Sequence, residues 1–158
     1  MIGTTFYHGS AVPSDLALKI NWDRDNTFGP AVYLTSEPTH EQDITYEVKL
    51  KANQLLTINL DKSFGEQTVE AKEAILKTRK RLGLPKLPSK NTNVKELLKN
   101  PDSLSKATIN KLLLEHGIWM IYGSPTDEHK VQYAVIDDSA IELIAYNENN
   151  NLFLKSAS

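Results

Sequence analysis

Alternation of apolar and polar residues is strictest between Ile44 and Leu50. Every second residue there is apolar, and the intervening Thr45, Glu47 and Lys49 are polar, which is typical of a strand with one buried face. Shorter runs of β-branched and aromatic residues predict further strands. The predicted strands are 4–8, 31–36, 44–50, 55–60, 118–122, 131–136 and 141–145.

The middle of the chain has a helical pattern instead. Apolar residues recur at helical spacing between 68 and 82, and a Gly and a Pro follow closely. Two more helices are predicted over 93–98 and 105–116. Strand-rich ends around a helical middle predict one α+β domain over residues 1–158, with a helical insertion at about 65–116 and a frayed tail at about 147–158. Within that tail, 152–154 is apolar enough to pair at a sheet edge instead.

Composition narrows the class of protein. Of the 158 residues, 40% are hydrophobic and 24% are charged, which is ordinary for a globular protein. There is no cysteine, and the four histidines show no ligand spacing, so no metal site is expected. No signal-peptide pattern or membrane-length apolar run is present. We therefore expect a soluble cytoplasmic protein without a membrane partner, or one delivered into a host cell without a signal peptide. The oligomeric state is not indicated.

Basic residues are concentrated between Lys77 and Lys99. This segment holds eight basic residues and one acidic residue, so its formal charge is +7, whereas the rest of the chain sums to −9. Such asymmetry affects which partners approach and on which side. Two interpretations remain open: contact with an acidic acceptor, or a solvated helix face.

A candidate ligand site lies at the end of the first predicted strand, in Phe6-Tyr7-His8-Gly9-Ser10. Gly9 has no Cβ and lets the backbone approach a ligand closely. His8 offers a ring nitrogen as a hydrogen-bond donor or acceptor. The alternative is an ordinary strand end, just as Tyr33 in the second strand is either a ligand contact or a core aromatic residue.

Three separated motifs occur in a recognisable order: Tyr7-His8-Gly9-Ser10, Gly29-Pro30-Ala31-Val32-Tyr33-Leu34-Thr35 and Gln132-Tyr133-Ala134-Val135-Ile136-Asp137. Their order and spacing resemble the ADP-ribosyltransferases of the His-Tyr-Glu class. That class includes the poly(ADP-ribose) polymerases, diphtheria toxin and bacterial and phage relatives, so the resemblance suggests an effector or a toxin-like protein. It implies a split, mostly antiparallel β-sheet core. Ala31 stands where the family has a second glycine, and the helical middle is not covered.

The resemblance implies NAD as the substrate and gives roles to single residues. His8 resembles the histidine that holds a ribose hydroxyl of NAD. Gly9 resembles the glycine whose backbone receives the nicotinamide carboxamide, and Tyr33 the tyrosine that stacks on the nicotinamide ring. The flanking residues that complete the predicted NAD-binding set are Tyr7, Ser10 and Thr35.

Two departures from the family pattern bear on catalysis. The family glutamate falls on Gln132, which hydrogen-bonds but carries no charge and is no base. The alternation of this strand puts Gln132 on the sheet face opposite Tyr133, and we expect that face to border the His8 site. Glu128, on the loop before this strand, is the substitute candidate for the carboxylate. The short segment 38–43 also lacks the second tyrosine that many relatives carry.

The first function indicated is an NAD-dependent mono-ADP-ribosyltransferase, a glycosyltransferase that releases nicotinamide and modifies a protein or nucleic-acid acceptor. NAD hydrolysis, with water as acceptor, is a close variant. A module that binds NAD or ADP-ribose without turnover is the second class, because of Gln132. A structural or interaction domain with the basic helices as its contact surface is the third.

Overall fold

In the part of the chain that the structure describes, the fold consists of two four-stranded β-sheets and four α-helices. The α+β class predicted from the sequence is confirmed. Among the residues described, no helix combines the length and apolar character needed to cross a bilayer. The computed structural model describes residues 5–24, 27–38, 42–84, 86–98, 105–125, 130–148 and 151–154.

The first sheet is antiparallel throughout and has the spatial order β1-β3-β7-β8. Its strands are β1 (Thr5–Ser10), β3 (Ile44–Leu50), β7 (Ile141–Glu148) and β8 (Asn151–Leu154). Strand β3 is central and buries each of its alternating apolar residues, as the sequence pattern predicts. A register shift against β7 lies between Glu47 and Val48.

The second sheet has the order β2-β6-β5-β4. Its strands are β2 (Val32–Leu34), β4 (Thr57–Asn59), β5 (Met120–Gly123) and β6 (Gln132–Val135). Strands β2, β6 and β5 pair antiparallel, whereas β4 and β5 are parallel. The parallel pair requires a long crossover between β4 and β5, and the helical middle of the chain supplies it.

The helices begin and end where local chemistry allows. They are α1 (Ser14–Ala17), α2 (Val69–Arg81), α3 (Val94–Leu97) and α4 (Lys106–Glu115). The side chains of Thr68, Asn93 and Ser105 accept a backbone N–H in the first turn of α2, α3 and α4. Gly83 and Gly117, with φ of 78° and 93°, follow α2 and α4 in the left-handed region that favours glycine.

Two apolar clusters define three layers. Between the sheets, Phe6 and Val48 of the first sheet pack with Leu34 and Val135 of the second. The other face of the second sheet packs on the helices, where Ile121 and Ala134 meet Ile75 and Leu113. The second sheet is therefore covered on both faces.

Several element boundaries differ from the predictions, and the causes are clear for β1 and β4. Strand β1 continues to Ser10 because Gly9 and Ser10 still pair with Thr45 and Ile44. Only 57–59 of the predicted strand 55–60 is extended, and 54–56 forms a 3₁₀ turn. The cause is local, since the Asn53 side chain accepts the Leu55 N–H and competes with strand pairing.

Of the two alternatives for the tail at 147–158, fraying is wrong for the residues that the structure describes there, and pairing of 152–154 at a sheet edge is confirmed. Strand β7 extends to Glu148, and β8 pairs with it in register from Ala145↔Leu154 to Glu148↔Asn151. The rings of Tyr146 and Phe153 stack with centroids 4.9 Å apart. Cross-strand aromatic pairs of this kind stabilise an edge strand, which explains the order of this segment.

We expect Leu113→Ala to lower the free energy of unfolding by about 2–5 kcal/mol, because it opens a cavity in the core. Leu113 is fully buried between the helices and the second sheet. Urea denaturation measures the change. Leu87→Ala is the matched control, since Leu87 is 72% exposed and its truncation should cost less than about 0.5 kcal/mol. Equal losses in both variants would contradict the assignment of the core.

Candidate functional site

The candidate site lies where β1 and β2 separate. Tyr7 and Thr35 bridge the two sheets through two backbone hydrogen bonds, each 2.9 Å long. One residue further along β1, the His8 side chain replaces the backbone as the hydrogen-bond partner of β2, with Nδ1 2.7 Å from the backbone oxygen of Tyr33. Beyond His8 the two strands pair only with other neighbours, β1 with β3 and β2 with β6. A cleft opens between them.

The cleft has a volume of about 870 Å³. Its walls are the end of β1 (8–10), the connection 11–24 that includes α1, and the start of β2 (31–33), with Gln42 at the border. The volume is within the range of about 300–1,000 Å³ typical of small-molecule sites. The structure thus brings His8, Gly9, Ser10 and Tyr33 to one cavity.

The hydrogen bond of His8 defines its chemistry. A carbonyl oxygen only accepts, so His8 Nδ1 carries the proton and donates it to Tyr33. The neutral ring then has an acceptor lone pair on Nε2. Burial lowers the pKa of His8, and the hydrogen bond to the Tyr33 carbonyl offsets part of that effect. At neutral pH His8 is therefore an uncharged imidazole of fixed tautomer.

Tyr33 is anchored at its far end. Its hydroxyl donates to the backbone oxygen of Gly29 at 2.6 Å and accepts the N–H of Phe28 at 2.9 Å. The Phe28 ring lies stacked beside it, with centroids 6.5 Å apart. These contacts hold the half-buried Tyr33 ring in one orientation.

Gln132 lies on the predicted sheet face but not in the cleft. Tyr33 pairs with Ala134, and Gln132 is two residues, about 7 Å, before Ala134 on the same face. It is not among the described residues that line the cleft. The reason is that β1 and β2 separate only beyond His8. Gln132 lies in the other direction, toward Thr35, where the bridge to Tyr7 keeps the two sheets together. The expectation that Gln132 borders the His8 site is not met.

The other predicted residues have separate places. Tyr7 lines a second cavity of about 440 Å³ on the first sheet, with Asp43 and Glu47. Thr35 closes the split, and its hydroxyl donates to the Glu37 backbone oxygen at 2.7 Å. Glu128 lies outside the described residues. Within the described part of the chain, no group of three or more His, Cys, Asp or Glu side chains is suited to hold a metal ion.

Sequence reasoning missed the charged and aromatic wall of the cleft. Lys19, Trp22, Asp23 and Arg24 all line it. The Trp22 ring also faces Lys111 Nζ of α4, 5.4 Å from its centroid. The available signal was a tryptophan among charged residues, Trp22 followed by Asp23 and Arg24, in a connection between two strands.

The basic segment is partly used inside the protein. Arg79 donates to the backbone oxygen of Leu97 at 2.9 Å. Two further residues form ion pairs, Arg81 with Glu115 at 3.4 Å and Lys95 with Asp61 at 3.3 Å. The described lysines of this segment that are exposed are Lys77, Lys80, Lys86 and Lys90.

The lowered pKa of His8 predicts a pH-dependent stability. The unfolded chain binds the His8 proton near pH 6.5, its ordinary value, whereas the folded protein binds it only at lower pH. The stabilisation is therefore complete above about pH 6.5 and is lost as the pH falls toward the folded-state pKa. The variant His8→Asn keeps a donor for the Tyr33 carbonyl but does not titrate. Between pH 8 and 5, urea denaturation should show a smaller loss of stability for the variant, and equal losses would contradict the prediction.

No protein-family model matches this sequence, and neither the curated proteins nor the solved structures give a significant match. The resemblance to the ADP-ribosyltransferases therefore rests on the three sequence motifs. The geometry of the cleft is what the structure adds to them.

Proposed function

We propose that this protein is an NAD-dependent mono-ADP-ribosyltransferase with an ADP-ribosyltransferase-like split sheet. One observation carries the proposal. His8 and Tyr33, which are 25 positions apart, meet through a 2.7 Å hydrogen bond at the point where two strands separate into a cleft. The sequence motifs relate both residues to NAD independently of this geometry.

The residues around the cleft fit the parts of NAD. The anchored Tyr33 ring offers a flat surface to nicotinamide, and Gly9 offers backbone groups to its carboxamide. His8 Nε2, as an acceptor, suits a ribose hydroxyl. Lys19 and Arg24 supply positive charge for the diphosphate, while Trp22 supplies a stacking surface for a base. Lys19 Nζ also lies 3.9 Å from a carboxylate oxygen of Asp138.

The proposed reaction is a substitution at the anomeric carbon of the nicotinamide ribose. The bond to the nicotinamide nitrogen breaks and its electron pair leaves with neutral nicotinamide. A nucleophile of the acceptor bonds to that carbon, and its proton passes to solvent. The pyridinium of NAD supplies the leaving group. His8, Gly9 and Tyr33 bind and orient the nicotinamide ribose, so that the leaving group and the acceptor lie on opposite sides of the carbon.

A binding module without turnover is the second candidate, and the position of Gln132 favours it. Gln132 is neutral and lies at the closed end of the split. A preorganised charge at the reacting ribose is worth about 10²–10³ in rate, so its absence predicts slow chemistry. Among the described residues that line the cleft, Asp23 is the one that carries a carboxylate. The role of Glu128 as the catalytic carboxylate stays a prediction.

Nicotinamide release from NAD, measured by chromatography, tests the enzyme. We expect slow release by the wild type and a loss of about 100-fold in His8→Ala and Tyr33→Ala, because both remove contacts to the reacting ribose and its leaving group. Gln132→Glu should leave the rate nearly unchanged, because the added charge lies at the closed end beside the Tyr7–Thr35 bridge, and Gln54→Glu, at an exposed position away from the cleft, is its control. Asp23→Asn and Glu128→Gln then identify the carboxylate, whereas a raised rate in Gln132→Glu alone would place the reacting ribose beside β6.

Thermal unfolding separates the two candidates. Stabilisation by NAD without nicotinamide release would assign a binding module, since a ligand of the folded state raises its stability. If the wild type shows no nicotinamide release and no stabilisation by NAD, both candidates are excluded.

We further propose that the acceptor is acidic, a nucleic acid or an anionic protein surface, and that the exposed lysines of the basic segment bind it. The triple variant Lys77→Glu, Lys80→Glu, Lys86→Glu should reduce transfer of labelled ADP-ribose to macromolecules at least about tenfold, because neutralised phosphates dominate such binding. Nicotinamide release into water should persist. The control triple Lys49→Glu, Lys51→Glu, Lys62→Glu changes exposed lysines elsewhere. Equal transfer by both triples would leave the basic segment as a solvated surface.

A further inference from the structure

The turn that precedes β2, residues 28–30, is held by a side chain from the helical insertion. Asn110 of α4 is only 2% exposed, and its amide nitrogen donates to the backbone oxygens of Phe28 at 3.0 Å and of Pro30 at 3.2 Å. These contacts join residues about 80 positions apart in the chain. Buried carbonyl groups need such partners, so the amide completes the turn.

Gly29 is what allows this contact. Its φ is +88°, and a Cβ added there would lie 2.6 Å from Asn110 Nδ2. No larger residue fits without moving the amide. The turn and Asn110 are therefore matched to each other.

The same turn anchors the Tyr33 hydroxyl. Tyr33 contacts the Phe28 N–H and the Gly29 oxygen, while Asn110 contacts the Phe28 and Pro30 oxygens. Two side chains thus hydrogen-bond to the same three-residue turn: Tyr33 from β2 and Asn110 from α4. A movement of the turn moves the anchor of the Tyr33 ring.

We propose that Asn110 is a positioning residue that orients Tyr33 for its ligand, an inference that rests on the proposed function for the NAD role of Tyr33. An amide is suited to this role because its two N–H groups serve two carbonyl oxygens at once. A serine hydroxyl would serve one and an alanine none. The helical insertion therefore contributes to the cleft without lining it.

The test compares Asn110→Ala and Asn110→Ser with Leu113→Val, a core change one turn further along the same helix. Each protein is labelled with [¹³Cζ]tyrosine, and the Tyr33 resonance is assigned with Tyr33→Phe. We expect the Tyr33 resonance to shift in both Asn110 variants, more in Asn110→Ala, and to stay in place in Leu113→Val. The Kd for NAD, measured by calorimetry, should rise about tenfold in Asn110→Ala and less than twofold in the control, since small misplacements of a positioned group weaken its contacts.

The outcomes are distinct. An unchanged Tyr33 resonance in the Asn110 variants would overturn the proposal, as would an equal shift in Leu113→Val, which would indicate general loosening of the core. If Asn110→Ala does not fold, Asn110→Ser decides by the same two readouts. A shifted Tyr33 resonance in a protein whose wild type does not bind NAD would refute the proposed function and leave the positioning of Tyr33 intact.

Discussion

The separation of β1 from β2 depends on one joint between the two sheets. Backbone pairing holds the strands together at Tyr7 and Thr35, and the imidazole of His8 then replaces the next backbone partner by donating to the Tyr33 carbonyl. A side chain in a strand-pairing position ends the ladder without leaving that carbonyl unsatisfied. Each strand keeps a full partner on its other side, β3 for β1 and β6 for β2. The cleft is thus stable as an opening and does not require a ligand to hold it apart.

This joint also fixes the protonation of His8. The ring must keep a proton on Nδ1 to satisfy the Tyr33 carbonyl, and burial disfavours a second proton on Nε2. An uncharged acceptor suits a sugar hydroxyl and would be a poor partner for a phosphate. Positive charge in the cleft comes instead from Lys19 and Arg24 on the connection 11–24. The two ends of the cleft therefore differ in chemistry, with a neutral polar end at the split and a charged end at the connection.

Local patterns predicted the elements well where one local signal dominates. The alternation in β3 gave both of its ends, and apolar residues at helical spacing gave the ends of α2 and α4 to within about one residue. Prediction was poorer at 54–56, where Asn53 competes with the strand, and at the tail, where β8 pairs with β7 and the Tyr146 and Phe153 rings stack across the two strands. In the site, the family motifs indicated His8 and Tyr33. They gave no indication of Asn110, whose role appears only when α4 packs against a turn about 80 positions earlier.

The position of Gln132 on β6 determines whether a charge placed there could reach the cleft between β1 and β2. A side chain on β6 reaches the His8 end of the cleft only if β1 and β2 separate at its level, and here Tyr7 and Thr35 still pair beside Gln132. Replacing glutamine by glutamate would therefore add charge at the closed end, about 7 Å along the strand from the level of Tyr33. A carboxylate on a loop is not restricted in this way, because strand pairing does not fix the direction of its side chain. Asp23 lies on the connection 11–24 and lines the cleft. If the protein turns over NAD, the geometry of the sheets favours a catalytic charge that comes from a loop over one that comes from the strand.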